Sequence, residues 1–546
     1  MTDILIKNGI IIDGTGNNRF SGNILIDKGI ITNIQTGNTS ETADLVINAS
    51  KKVVCPGFID VHSHFDFSYL LDKYAKYSIM QGITTEIVGN CGIGLAPMNE
   101  TVRNYYQNYI SFILGSLNIE FFNRISDFMN YINKNGCTLN IGFLIPQGNV
   151  RVYVMGMDNR EPNDDELKQM KQIVREGMED GAFGISTGLI YPPGSITTTN
   201  ELIELTKVVG EYGGIYSTHI RDEGRGIIKA INEALEIGKS TGASVEISHV
   251  KVAGSIFTKY IIKKINKMIK NAREFGVDVN GDMYPYTAAN SVLSGLLQPW
   301  VFDGGDKAFR QNLTSPVNRK RIINEFKNTL WKMVGIPWFL RFIPKMVWMK
   351  LIMDKLQKKV IITSMKYKHE FEGKTLENVI NTLYPGVDIY NATLNLLREE
   401  EGAILISMFL MKKKDVIKLM KSPYLMFSTD NLCPNVGKPH PRVLGTYPRI
   451  LGRCVRQSQI ISLEEAIYKM TGFPAKKFSI DDRGIIKEDF KADIVIFDPD
   501  TVIDTATHQN PISFPKGIHK VIVNGKVVMD EGKLTEELPG MVIQFK

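Results

Sequence analysis

Apolar and polar positions change rhythm twice along this chain. Near the start, short apolar runs are broken by turn dipeptides: Ile4-Leu5-Ile6, Gly9-Ile10-Ile11-Ile12, Asn23-Ile24-Leu25-Ile26 and Gly29-Ile30-Ile31 are separated by Asn-Gly, Asp-Gly and Lys-Gly steps. Those steps suit tight hairpins. The end repeats the pattern with Ala492 to Phe497, His519 to Val523, the pair Asn524-Gly525, and Lys526 to Met529. Neither end has enough apolar residues for its own core. The pattern therefore predicts one small β-rich domain assembled from residues 1–55 and 480–546.

The middle alternates differently. Strand-like runs fall at Thr84–Val88, Asn140–Ile145, Gly184–Ser186, Ile215–Thr218, Ser244–Ser248 and Tyr424–Ser428. Helix-like stretches lie between them, clearest at Asn163–Glu179 and Glu223–Thr241. The second carries Ile227, Ile228, Ile231, Leu235 and Ile237 at near-helical spacing. Repeated β-then-α predicts parallel strands and an α/β fold, a (β/α)8 barrel over 56–479. An open doubly wound sheet is the second architecture, but no Gly-rich nucleotide fingerprint follows a strand. Residues 290–370 break the alternation and read as an insertion near the active site. Inside it, 329–359 is aromatic, Met-rich and basic, with Trp331, Pro337, Trp338, Phe339, Phe342, Pro344, Trp348 and Met349. Its first reading is a lid over the site; its second is contact with a lipid surface.

On such a barrel, chemistry sits at the C-terminal strand ends. His62 and His64 follow the run Phe58-Ile59-Asp60-Val61. At spacing i, i+2 on a strand, their imidazoles project to one side, half of a metal site. His219 ends Tyr216-Ser217-Thr218, His249 ends Glu246-Ile247-Ser248, and Asp430 ends Met426-Phe427-Ser428-Thr429. Cys91 follows Glu86-Ile87-Val88-Gly89-Asn90. Singly, a buried Cys is a small hydrophobe and a terminal Asp a helix cap. Six candidate ligands at five predicted strand ends point instead to a metal centre. His440 lies just past Asp430, near the site; His369, His508 and His519 lack this context and read as structural or surface residues.

Composition narrows the class. At 546 residues, 43% apolar and 23% charged, with net charge +7, the chain reads as a globular protein with no basic, aromatic-interleaved groove for nucleic acid. Five scattered cysteines suit a reducing cytoplasm rather than a disulfide framework. The start has no basic and apolar leader pattern, and no apolar stretch reaches transmembrane length. Oligomeric state is not legible.

The motifs resemble a known family. PGFIDVHSHFD at 56–66, QGITTEIVGNCGIGLAPM at 81–98, STGLIYPPGS at 186–195, STHIRDEG at 217–224, ISHVKVAG at 247–254, DMYPYTAA at 282–289 and KPHPRVLGTYPRILG at 438–452 are similar to the D-aminoacylase (N-acyl-D-amino-acid deacylase) family of metal-dependent amidohydrolases. The resemblance implies a (β/α)8 barrel with a β-sandwich from both termini and an inserted segment near the active site, and zinc-dependent hydrolysis of the amide bond of small N-acyl-D-amino acids. It implies a tight zinc site at Cys91, His219 and His249. A second, weak or empty position would be lined by His62, His64 and Asp430. Asp430 would be the catalytic base. Lys251 and Arg442 would hold the substrate carboxylate, with Tyr191 and Tyr284 completing the pocket. Departures from the family pattern at Gln147–Arg151 and Ala288–Asn290 predict altered substrate contacts rather than altered metal binding. A cyclic-amide hydrolase, of hydantoinase or dihydroorotase type, and a deacylase of long-chain N-acyl amino acids are the alternative activities.

Overall fold

The computed structural model describes residues 2–109, 122–254, 258–302, 305–334, 344–432 and 437–546. Pro337, Trp338, Phe339 and Phe342 of the expected lid segment lie outside these residues.

Both ends of the chain meet in one sheet. Strands β1 (Thr2–Ile11), β2 (Phe20–Asp27), β3 (Ile30–Gln35), β4 (Ala43–Asn48) and β5 (Val53–Pro56) come from the start. The rest of the sheet is the last four strands of the chain, at Ile494–Phe497, Ile518–Val523, Lys526–Asp530 and Lys533–Leu534. Val53–Pro56 pairs with Ile494–Phe497 and joins the two sets. The Lys28-Gly29 and Asn524-Gly525 hairpins form as expected, with both residues of each pair at positive φ. Asn8-Gly9 does not turn. Asn8 sits at φ 60°, the register to β2 slips between Ile6 and Gly9, and the strand runs on. Asn in the left-handed region serves a bulge as readily as a hairpin, and dipeptide identity does not separate the two.

The middle supplies buried parallel strands: β6 (Phe58–Asp60), β7 (Ile83–Val88), β8 (Asn140–Phe143), β9 (Ile145–Pro146), β10 (Gly184–Gly188), β11 (Ile215–His219), β12 (Ser244–Ile247) and β13 (Val279–Met283). β6, β7 and β8 pair in one set; β9 to β13 pair in sequence order in another, with a strand at Leu425–Phe427 beyond β13. Beyond these strands, the Asp430 amide donates to the His62 carbonyl and Ser63 bridges Asn431 in parallel, so the last parallel strand meets the first. Nearly every residue of these strands is buried, as strands covered on both faces require. Helices stand between them. The helix Ile227–Thr241 buries Ile227, Ala230, Ile231, Ala234 and Ile237, one stripe of its surface, and stops at Gly242 with φ 73°. The helix Asp164–Glu179 starts on an Asn163–Glu166 capping box.

Between β13 and the strand Leu425–Phe427 stands the inserted unit. It has its own antiparallel sheet: β14 (Ala289–Val292), β15 (Val360–Met365) and β16 (Ile404–Met408), with β16 in the centre. It has its own apolar core, including Leu293, Phe309, Ile362, Leu397 and Ile406. The middle strand of this sheet comes last in sequence, at Ile404–Met408. Continuing the numbering, β17 is Leu425–Phe427, and β18 to β21 are the four closing strands given above.

Candidate active site

Each expected ligand leaves from the C-terminal end of a parallel strand. His62 and His64 follow β6, Cys91 follows β7, His219 ends β11, His249 follows β12 and Asp430 follows β17. Cys91, His249 and Asp430 hold φ of 55°, 36° and 49°. That region costs a non-glycine residue roughly 1–3 kcal/mol and persists only where surroundings enforce it. Here the sharp turn off each strand aims a side chain inward.

Hydrogen bonds enforce the turn at Cys91. The Ser186 hydroxyl bonds to the Gly89 carbonyl and accepts from the Gly92 amide at 3.0 Å, and the Tyr191 hydroxyl donates to the Cys91 carbonyl at 3.0 Å. Asn149 donates to the carbonyls of Gly94 at 2.6 Å and Pro97 at 3.0 Å. Buried Arg151 is 2.5 Å from Glu201, which Gln147 also reaches at 3.3 Å. The departure at Gln147–Arg151 thus lies in the scaffold under the Cys91 loop, where the sequence led us to expect substrate contacts. Tyr191 likewise holds that loop through its hydroxyl.

The ligand atoms converge. Cys91 Sγ lies 3.3 Å from His62 Nε2, 3.7 Å from His219 Nδ1 and 3.6 Å from His249 Nε2. With Zn–S near 2.3 Å and Zn–N near 2.0–2.1 Å, the edge of a tetrahedral site is about 3.6 Å, so the set fits zinc in spacing and in donor type. His64 Nε2 and His62 Nε2 each lie 3.8 Å from Asp430 Oδ1. His62–His64–Cys91, Cys91–His219–His249 and His62–His249–Asp430 each bring ligand atoms within 4.8 Å of one another.

The surroundings tune these groups. Burial, and then the Lys251 charge, hold His219 and His249 well below the ordinary imidazole pKa; burial does the same for His64. Neutral imidazole is the ligating form. At His62, burial is outweighed by Cys91 and Asp282, which leave its pKa well above the ordinary value. The same two partners favour a cation in place of that proton.

Two positioning carboxylates were not singled out from the sequence. Glu223 Oε1 stands 3.2 Å from His219 Nε2 and 3.4 Å from His249 Nδ1, the nitrogens turned away from Cys91. Asp282 Oδ2 stands 3.5 Å from His62 Nδ1. Carboxylates behind ligating imidazoles fix tautomer and ring orientation. Glu223 lies in a loop and Asp282 on β13, which carries no ligand, so only its neighbours in space mark either one.

The expected carboxylate anchors also gather here. Lys251 Nζ is 2.5 Å from Glu223 and 2.8 Å from His249 Nδ1, and Arg442 Nη1 is 2.6 Å from Asp430 Oδ2. Both cations flank Tyr284, with Lys251 Nζ at 5.8 Å and Arg442 at 4.9 Å from the ring centre. The Tyr284 hydroxyl is buried and finds no hydrogen-bond partner among the described residues. Burial opposes the Lys251 charge, but Glu223, together with Tyr284 and Asp430, more than offsets it and raises the pKa above the ordinary value. His440 is buried with its ring 5.0 Å from Tyr286 and 4.9 Å from His508. His508, read as structural or surface from sequence, thus stands behind the site.

The amidohydrolase family model matches residues 45–214 and 414–529. D-aminoacylase of Alcaligenes xylosoxydans xylosoxydans is 31% identical over 99% of this chain and 97% of its own length. N-acyl-D-aspartate deacylase of the same organism is 31% identical over 99% and 95%. A solved structure of N-acyl-D-glutamate deacylase from Bordetella bronchiseptica, complexed with zinc and a phosphonate mimic of the tetrahedral intermediate, superposes with a TM-score of 0.81 at 29% identity, covering 100% of this chain and 99% of that one. The chain is an amidohydrolase of the D-aminoacylase family.

Proposed function

We propose that this protein hydrolyses the linear amide bond of N-acyl-D-amino acids, releasing a carboxylate and a free D-amino acid. The observation that carries the reading is the convergence of Cys91 Sγ with His219 Nδ1 and His249 Nε2 at 3.7 and 3.6 Å. We take the parallel strands as a (β/α)8 barrel over 56–479 and the terminal sheet as a β-sandwich domain of 1–55 and 480–546. Cys91, His219 and His249 form the tight zinc position in this reading; His62, His64 and Asp430 line a weaker one. Zinc held there supplies a Lewis acid that makes water acidic near neutral pH and polarises a carbonyl.

The chain's own groups do the rest. Asp430 lies between the histidine pair and Arg442, with one oxygen facing each side. It is placed to take a proton from the attacking water and return it to the leaving amine. Lys251 and Arg442, which stand 5.8 and 4.9 Å from the Tyr284 ring centre, would supply the donors for the substrate carboxylate, with the unpartnered Tyr284 hydroxyl beside them. Both cations already hold resident carboxylates, Glu223 and Asp430, so substrate must share these donors. Arg442 has further N–H groups to offer. With the substrate carboxylate and scissile carbonyl both fixed, only one configuration at the α-carbon directs the side chain away from the protein wall. That is the physical origin of selectivity for the D enantiomer.

The test is a hydrolysis panel of N-acyl-D- and N-acyl-L-amino acids with varied side chain and acyl length, on protein of measured zinc content. Turnover of D substrates that tracks zinc is the expected result. Equal rates on both enantiomers, or turnover independent of zinc, would remove the reading.

A further inference from the structure

The helix Lys345–Leu356 of the inserted unit buries one edge and leaves the other bare. Met349 and Met353, one turn apart, pack on Phe326, Trp331 and Tyr390 within the same unit. Met346, Val347 and Leu351 lie on the open side at 81%, 44% and 47% exposure. Lys345, Lys350 and Lys355 are exposed along the same helix, followed by Lys358 and Lys359. An open groove runs beside it, lined by Lys327, Lys345, Lys350 and Met349, with Asp354 and Asp388 also on its wall.

Charge is concentrated here to an unusual degree. Residues 316–359 hold eleven Lys and Arg against two Asp and Glu, a net +9, whereas the whole chain is only +7. The rest of the protein is therefore slightly acidic. Three of the four tryptophans of the chain, Trp331, Trp338 and Trp348, fall in the same stretch. The inserted unit leaves the parallel strands after β13, at the end that carries the site.

We infer that this helix face docks the protein on an anionic lipid surface. Exposed methionine, valine and leucine between lysines give both terms of interfacial binding: apolar burial at the headgroup level and attraction to acidic lipid. A second copy of the chain is a poor occupant, because a twofold contact would set one +9 segment against another. Nucleic acid would use the lysines and leave the bare apolar row unsatisfied. No helix among the described residues is long and apolar enough to cross a membrane, so the contact is peripheral.

The experiment is flotation of the full chain with phosphatidylcholine vesicles, with and without about 30 mol% phosphatidylglycerol, over a salt series. Two triple variants are compared: Lys345→Glu with Lys350→Glu and Lys355→Glu, and Met346→Ser with Val347→Ser and Leu351→Ser. None of these residues touches the site, so wild-type turnover of a water-soluble N-acyl-D-amino acid reports that each variant is folded. The wild type is expected to float only with the acidic vesicles and to lose binding as salt rises. The charge variant should lose roughly a hundredfold in partitioning, and the apolar variant should weaken while keeping its salt dependence. Absence of wild-type flotation, equal binding to neutral vesicles, or flotation untouched by both variants would overturn the inference. So would a wild-type dimer in light scattering that the apolar variant dissolves, since the face would then belong to a second copy.

Discussion

Lys251 and Arg442 at the site, and Lys345, Lys350 and Lys355 on the inserted helix, are similar cations in opposite settings. The first two are buried within 2.5–2.6 Å of Glu223 and Asp430. The other three stand in solvent beside exposed Met346, Val347 and Leu351. A buried cation must be paired, and its geometry is then fixed by its partners. An exposed, unbalanced set acts through its summed field and tolerates loose placement. The first setting selects a small molecule by shape, and the second selects a class of surface. Each region can be broken without the other if this division is right.

The largest expected effect is at Cys91. Cys91→Ser removes the soft donor that lies within 3.7 Å of three imidazoles. Zinc content should fall to trace, and turnover should drop by roughly four orders of magnitude. Metal analysis of purified protein beside a rate assay checks this. Full zinc retention would move the tight site elsewhere. Asp430→Asn should separate chemistry from binding. Turnover is expected to fall about a thousandfold while the metal measured at the tight position stays, because general acid–base contributions lie in that range. Near-normal kcat would end the assignment of Asp430 as base. Some rise in KM is also expected, since Arg442 loses an anionic partner.

Glu223→Gln should act more mildly. Glutamine keeps the shape but loses the charge that faces His219 Nε2 at 3.2 Å, His249 Nδ1 at 3.4 Å and Lys251 at 2.5 Å. Zinc affinity, measured by competition with a chelator, should fall roughly 10- to 100-fold. Turnover with zinc in excess should recover more fully than in the Cys91 variant. An unchanged affinity would make Glu223 a partner of Lys251 alone.

How much of this was legible beforehand follows from the same physics. His62, His64, Cys91, His219, His249 and Asp430 were readable because each follows a short apolar run, and strand ends of this topology collect chemistry. β13 was harder. Its sequence Val-Asn-Gly-Asp-Met is buried throughout yet mostly not apolar, so periodicity does not mark it. Glu223 and Asp282 carry no local signal, since their roles depend on nitrogens that arrive from other strands. The departure at Gln147–Arg151 was misread for a related reason. A polar motif near a site looks like a substrate contact, and only the bonds from Asn149 to Gly94 and Pro97 reveal a scaffold. The sheet of the inserted unit was hidden because its central strand, β16, begins at Ile404, well after β15 ends at Met365.

The smallest expected effect isolates burial itself. Asp66 lies in the helix after His64, fully buried, with Oδ2 accepting from the Leu95 amide at 3.3 Å. Burial raises its pKa from 3.8 to about 7. Between those values the native chain keeps a proton that the unfolded chain has already lost. Stability at this residue is therefore full below about pH 4, falls as pH rises towards about 7, and is level above that. Asp66→Asn imitates the protonated form at every pH and carries no such slope. Relative to wild type, the variant should gain stability from about pH 5 to about pH 8, by at most about 3 kcal/mol, the cost of keeping the proton over the roughly two pH units between 5 and 7. Denaturant unfolding of zinc-saturated protein at the two pH values reads the difference directly. A constant gap would mean that Asp66 charges without penalty, and that the wall beneath the Cys91 loop is open to water rather than sealed like the rest of the site.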